Sequence, residues 1–213
     1  MKPLEKCLLY TFVDAGYVRD EAIRDVARAL CEGGSDLIQL RAKGLDRKKV
    51  RDLAERISTV LQGFDVGLVI NDYPEIAAAV GAPLCHLGQE DFFDSGHCRI
   101  DQLVPSGLKV GLSSHAPGQA ERAVAAGASY VAIGPVYATP TKPGRPAVTI
   151  EYVRWAAKHL TIPWFAIGGI HLDNLDEVLA AGARRVCVVS AILNAPNIAK
   201  ACQAFKQRLL SAS

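Results

Sequence analysis

The sequence predicts an α/β fold, a single (β/α)8 TIM barrel formed by residues 1–213 as one domain. Three observations carry that expectation. Eight short apolar runs alternate with amphipathic segments from one end of the chain to the other. The runs lack the polar alternation of a one-sided sheet, as parallel strands covered on both faces do. A glycine-marked unit also recurs along the chain, which suits a barrel assembled from similar parts. An open doubly wound sheet is the alternative that the same alternation allows. At ~150 residues per domain, 213 residues correspond to one large domain or two small ones, and no linker or composition shift divides them.

The elements follow in order. The run 7–13 meets Asp14 with no small-residue cleavage site after it, so it reads as a first strand and not as a signal peptide. Ile23, Val26, Ala27 and Leu30 then fall at i, i+3, i+4 and i+7, one stripe of a helix. The run 36–40 is the second strand, and Val50, Leu53, Ala54 and Ile57 form the next stripe. Strands three and four are 67–70 and 84–87, with a short helical segment at 75–80 between them. A second short helical segment, 99–104, precedes the fifth strand, 109–112. The sixth strand is 130–133, the seventh 163–167 and the eighth 185–189. Leu172, Leu175, Val178 and Leu179 make a stripe closed by Gly182 in the C-terminal capping position. Ile198, Ala201, Cys202 and Phe205 supply the last helix. In the repeat, a small-residue helix end, a glycine and an apolar strand recur at Gly34, Gly81, Gly127 and Gly182, spaced 47, 46 and 55 residues apart, or two βα units.

Composition narrows the function. Lys plus Arg total 24 and Asp plus Glu 22, so the net charge is 24 − 22 = +2, which argues against nucleic acid as a bulk partner. No run approaches the ~18 to 20 unbroken apolar residues of a membrane helix. Six cysteines without a CxxC pair read as buried reduced thiols and point to a cytoplasmic location. The expected partners are small molecules, with a homodimer left open.

In a barrel the site lies at the C-terminal strand ends. There the sequence gathers Gln39, Arg41 and Lys43; Asn71 and Asp72; His86, Gln89, Glu90 and Asp91; Ser113, Ser114 and His115; Thr139, Thr141, Lys142 and Arg145; Gly168 and Gly169; and Ser190. Arginine suits bidentate oxygen recognition and lysine acts as a mobile point charge. Gly168-Gly169 before a helix starting near Leu172 is a ready anion site. Two phosphate zones follow, one of cationic side chains and one of backbone amides. Asp72 and Asp91, single carboxylates beside a polyanion site, suggest Mg²⁺, which takes one or two carboxylates plus phosphate oxygens. Plainer readings stay open. Arg41 and Lys43 fit surface ion pairs, Asp72 before Pro74 fits a helix cap, and Gly168-Gly169 fits a tight turn. His86, His97, His159 and His171 receive no role, and that of His115 is open.

These residues carry a resemblance. QLRAK (39–43), IND (70–72), HLGQED (86–91), GLSSH (111–115), GPVYATPTK (134–142), IGGI (167–170) and VVSAI (188–192) occur in order over almost the whole chain. The sequence resembles the thiamine phosphate synthase family. The resemblance implies a transferase in thiamine biosynthesis. A 4-amino-2-methylpyrimidine bearing a CH₂-diphosphate joins a thiazole (or carboxythiazole) phosphate, and pyrophosphate departs ahead of C–N bond formation. It also implies roles. Gln39, Leu40, Arg41, Ala42 and Lys43 would hold the pyrimidine diphosphate with Asn71 and Lys142. Asp72 and Asp91 would hold Mg²⁺. Ser113 would stand near the pyrimidine and its developing cation. Thr139, Pro140, Thr141, Gly169, Val189 and Ser190 would line the thiazole phosphate site. Ser113, Lys142 and Arg41 are the expected catalytic set, and residues 138–147 the expected closing loop. Thr149 departs from the family, which often has Gly there. The alternative is a metal-independent thiazole tautomerase of the same family, thought to use a His in the segment where Pro135 stands.

Overall fold

Parity along each strand divides the apolar residues into two cores. In a computed structural model that describes residues 1–103, 107–139 and 147–212, eight parallel strands pair in chain order. They are β1 (Leu9–Asp14), β2 (Leu37–Arg41), β3 (Gly67–Asn71), β4 (Leu84–Leu87), β5 (Lys109–Ser114), β6 (Tyr130–Ile133), β7 (Trp164–Ile167) and β8 (Val186–Cys187). β8 pairs with β1, which closes the barrel and removes the open-sheet alternative. The helices are α1 (Ile23–Glu32), α2 (Arg47–Leu61), α3 (Pro74–Ala79), α4 (Gln89–Phe93), α5 (Pro117–Ala125), α6 (Thr149–His159), α7 (Leu172–Ala180), α8 (Ser190–Leu193) and α9 (Ile198–Ser211).

Successive strand residues point to opposite faces. One parity, including Tyr10, Phe12, Leu37, Val69, Leu84, Tyr130, Phe165 and Cys187, packs together as the barrel interior. The other, including Leu9, Ile38, Leu68, Val110, Val131 and Ala166, clusters with helix residues such as Ala27, Leu53, Val153 and Val178. Both parities are apolar, which is why the strands read as unbroken apolar runs.

The four repeat glycines share one cause. Each has positive φ (87°, 68°, 89° and 101°) just past the end of α1, α3, α5 or α7. The glycine N–H of Gly34 bonds Cys31 O at 3.0 Å and the next N–H bonds Leu30 O at 3.1 Å. Gly81, Gly127 and Gly182 repeat that pair of bonds. This is the Schellman ending, which needs a residue without a Cβ penalty at the left-handed position. It turns the chain sharply from each of these helices into the next strand.

Some elements differ from expectation. The first strand runs on to Asp14, and the eighth shrinks to Val186–Cys187. The segment 99–104 forms only a 3₁₀ turn, Ile100–Gln102, and 104 lies outside the described residues. Leu172 is 46% exposed because α7 starts there, so its first turn overhangs the core; Leu175 and Val178 are buried. Five of the six cysteines are buried and Cys98 is exposed. Burial pushes the Cys7 and Cys31 thiols up to about 11. Among the described residues no helix is long and apolar enough to cross a membrane.

Candidate active site

The inward parity of each strand, continued past its C-terminal end, changes from apolar to polar. On β2, Leu37 lies inside the barrel, and Gln39 and Arg41 stand above it on the same face. On β4 Leu84 is followed by His86, and on β5 Gly111 by Ser113. The result is a chamber of about 430 Å³ at the barrel mouth, lined by Gln39, Arg41, Lys43, Asn71, Asp72, Asp91 and Ser113 among others. These seven, and Glu90 and Val189 with them, were singled out in the sequence and meet on this one cavity.

Local contacts aim these groups. Arg41 Nη1 donates to Asp14 Oδ2 at 2.8 Å, a partly buried pair in which the carboxylate is the buried member. Lys43 Nζ lies 3.4 Å from Asp72 Oδ2. Asp72 has φ +67°, a conformation uncommon outside glycine. It does not cap α3, whose N-cap is Tyr73 without a side-chain bond, so the capping reading falls. Gln89 N–H donates to Ser113 Oγ at 3.0 Å, leaving the serine's own hydrogen to turn elsewhere.

A narrower cavity of about 80 Å³ shares His86, Ser113 and Val189 with the chamber and continues to Thr139, Gly168, Gly169 and Ser190. Beyond it an open cleft of about 520 Å³ is lined by Gly169, Ser190, Asn174 and Asn194. Gly168 and Gly169 have φ +103° and +65°, and a Cβ on Gly169 would lie 2.7 Å from Tyr137 Cβ. The pair is therefore required by a close backbone approach as well as by a turn. Their carbonyls are tied down by Tyr137 N–H at 3.0 Å and Asn174 Nδ2 at 2.9 Å, next to the amino terminus of α7.

Two expected contacts lie elsewhere. The side chains of Leu40 and Ala42 have the outward parity and sit in the core between barrel and helices, so only their backbone can serve a ligand. Pro140, Thr141, Lys142 and Arg145, with most of the expected loop 138–147, lie outside the described residues. Sequence reasoning missed Asp14, Tyr10 and Phe12, and gave His86 no role although it lines both cavities. The signal for them was parity: each stands two or four residues along the same face from another inward residue. His115 lines the narrow cavity; its Nδ1–H donates to the Gly134 carbonyl, and Nε2 lies 3.9 Å from Glu90 Oε1.

Charge decides what the chamber can take. Among the described residues, Arg41 and Lys43 face Asp72, Glu90 and Asp91, with Asp14 behind Arg41, a balance of 2 − 4 = −2. A polyanion enters such a wall only with a cation beside it. The donors are carboxylate and amide oxygens, the set that Mg²⁺ takes. No group of three or more His, Cys, Asp or Glu is gathered for a metal among the described residues, so ligand oxygens and water would complete the shell.

Comparison with known proteins gives a consistent picture. Residues 9–192 match the family model described as thiamine monophosphate synthase. The chain is 46% identical over 190 residues to a thiamine-phosphate synthase of Thermus thermophilus, covering 89% of this chain and 90% of that one. It is 42% identical over 217 residues to a thiamine-phosphate synthase of Thermobifida fusca, covering 100% and 96%. Among solved structures, thiamine phosphate pyrophosphorylase from Pyrococcus furiosus superposes with a TM-score of 0.87 at 26% identity, covering 99% of each chain.

Proposed function

The chain belongs to the thiamine monophosphate synthase family, and from that premise we propose how its barrel mouth performs the reaction. The activity is transfer of a pyrimidinylmethyl group to the thiazole phosphate nitrogen, giving thiamine phosphate and pyrophosphate. The convergence of Arg41, Lys43, Asn71, Asp72 and Asp91 on one chamber is the observation that carries this reading. The pyrimidine lies toward Gln39 and Ser113 and its diphosphate among Arg41, Lys43 and Asn71; the family resemblance adds Lys142, outside the described residues, to the diphosphate contacts. Thiazole occupies the narrow cavity against Val189 and Thr139. Its phosphate reaches the open cleft at Gly169 and Ser190; the family resemblance assigns Pro140 and Thr141, outside the described residues, to the same group.

The chemistry asks for little proton transfer. The CH₂–O bond breaks, diphosphate leaves with the electron pair, and the lone pair of the thiazole nitrogen closes the new C–N bond. Arg41, Lys43 and Lys142 stabilise the charge that gathers on the leaving oxygens. Asp72 and Asp91 would hold Mg²⁺, which when bound neutralises diphosphate charge. Ser113 turns its hydroxyl oxygen toward the cationic carbon. The apolar walls at Phe12, Ala132 and Ile167 keep water from capturing it. In this reading residues 1–213 act as one cytoplasmic barrel, alone or as a homodimer. The test is pyrophosphate release with each substrate alone and with both, with and without Mg²⁺. Release only with both substrates and Mg²⁺ is expected. Thiazole tautomerisation that is indifferent to EDTA, with no coupling, would instead favour the tautomerase.

A further inference from the structure

The deepest polar groups of the chamber form one hydrogen-bonded string. Gln39 Nε2 donates to Tyr10 Oη at 2.5 Å, Tyr10 Oη and Tyr130 Oη are 3.0 Å apart, and Tyr130 Oη is 3.1 Å from His86 Nδ1. Both tyrosines are fully buried. The His86 and Tyr130 rings stack at 5.7 Å between centroids, and Gly111 is glycine because a Cβ there would collide with the Tyr130 ring. Burial pushes both phenols well above the usual tyrosine range, so each keeps its single proton.

One hydrogen per hydroxyl gives the string a direction. With each hydroxyl hydrogen spent inside the string, Tyr10 accepts a hydrogen bond from Gln39 Nε2–H and donates its own O–H to Tyr130, which donates in turn to His86 Nδ1. The imidazole then carries its hydrogen on Nε2. Were Gln39 to turn its carbonyl oxygen to Tyr10, every bond would reverse and His86 would carry the hydrogen on Nδ1. Amide orientation and imidazole tautomer therefore change together, although the two residues do not touch along this string.

We propose that Tyr10 and Tyr130 are positioning residues that lock Gln39 and His86 into complementary polarity. Gln39 Oε1 is presented as an acceptor and His86 Nε2–H as a donor, on a cavity that both residues line. Resting on the function proposed above, the lock selects a ring with an exocyclic amino group beside a ring-nitrogen acceptor. A 4-oxo pyrimidine, which offers an acceptor and an N–H instead, demands the reversed string.

The coupling is tested without substrate by ¹⁵N-histidine NMR, with the His86 signals identified by their loss in His86→Gln. Wild type is expected to show the Nε2–H tautomer. Gln39→Glu, recorded on the alkaline side of the introduced carboxyl's titration, can only accept and is expected to switch His86 to Nδ1–H. In a Tyr10→Phe background the same substitution is expected to leave His86 unmoved. One tautomer common to wild type and Gln39→Glu, or a switch that persists in Tyr10→Phe, overturns the proposal. Selectivity tests the consequence. The kcat/KM ratio for the 4-amino over the 4-oxo pyrimidine diphosphate is expected to be at least ~10²-fold and to fall about tenfold in Tyr10→Phe. An unchanged ratio overturns the selecting role. A protein inactive with both pyrimidines sinks the proposed reaction, and the tautomer result stands apart from it.

Discussion

Asp14 Oδ2 lies 2.8 Å from Arg41 Nη1, and the two residues are direct partners in the β1–β2 register. The side chain of Asp14 is 2% exposed and that of Arg41 21%. The second oxygen, Oδ1, accepts Gly16 N–H at 2.8 Å, so both carboxylate oxygens are committed. Asp14→Asn keeps an oxygen for the Gly16 turn and removes the charge that aims the guanidinium. A misplaced phosphate-binding group lowers kcat/KM for the pyrimidine diphosphate by roughly 10- to 100-fold. Losing a charged hydrogen bond costs about 1.5–3 kcal/mol. Steady-state kinetics and a melting curve read both, and an unchanged kcat/KM would detach this pair from catalysis.

Asp72 couples conformation to charge. Its φ of +67° suits Asn almost as well as Asp, whereas Ala has no side chain to support it. Asp72→Asn is therefore expected to melt close to wild type while losing roughly 10²-fold or more in kcat. Asp72→Ala should lose activity equally and also melt lower. Calorimetry of pyrophosphate binding adds a readout that needs no turnover: Mg²⁺-dependent affinity present in wild type and weakened in Asp72→Asn. Full activity in Asp72→Asn would remove the carboxylate from its assigned role.

The contrast between Asp14 and Asp72 shows what was legible in the sequence. Asp72 and Asp91 stand out because they lie two and four residues past the end of an apolar run, and the eight runs point to the barrel itself. Asp14 ends a run too, but a strand buried on both faces carries no polarity signal to say which parity points inward. Leu37, Gln39 and Arg41 against Ile38, Leu40 and Ala42 become inside and outside only once the barrel closes. For the same reason Leu40 and Ala42 looked like neighbours of the ligand by position in QLRAK, while Tyr10 and Tyr130, inside apolar runs, drew no notice and His86 received no role. The charge balance also changed. Lys142 lies outside the described residues, and Asp14 behind Arg41 adds a carboxylate that the strand ends did not show, so the described part of the mouth is net negative.

At the opposite end of the barrel Asp36 joins three elements. Its carboxylate accepts Leu8 N–H at 2.7 Å and Leu9 N–H at 2.9 Å, and meets Lys2 Nζ at 2.5 Å and Lys206 Nζ at 2.5 Å. Burial pushes this carboxyl up, but the bonds from Leu9, Lys2, Lys206 and Leu8 outweigh it and hold it below the usual carboxylate range. The folded value is below the unfolded one, so the stabilisation is complete above the unfolded pKa of ~3.9 and is lost as pH falls through the folded value. Asp36→Ala leaves two lysines facing a buried gap and is expected to cost about 3–5 kcal/mol at neutral pH. Below about pH 4 the wild-type and variant melting temperatures should converge. Parallel curves down to pH 2 would show that Asp36 is not the titrating anchor.

Thr149 is held at φ +63° at the start of α6, where the preceding Val148 N–H is fixed to Pro135 O at 2.7 Å. A β-branched residue in the left-handed region is an outlier, and such strain costs on the order of 1–3 kcal/mol. Its hydroxyl returns little, accepting Glu151 N–H at 3.4 Å. Glycine adopts this conformation freely but adds about 0.5–1 kcal/mol of unfolded-state entropy to be lost on folding. The balance favours Thr149→Gly by about 1 kcal/mol, or ~2–4 °C in melting temperature for a chain of this size. Thr149→Asn, which tolerates positive φ, should gain a smaller part of that, and Thr149→Val, as branched as threonine, should gain nothing. Equal melting temperatures for the Gly and Val variants would mean that no strain is stored there, because release of φ strain is what separates the two substitutions.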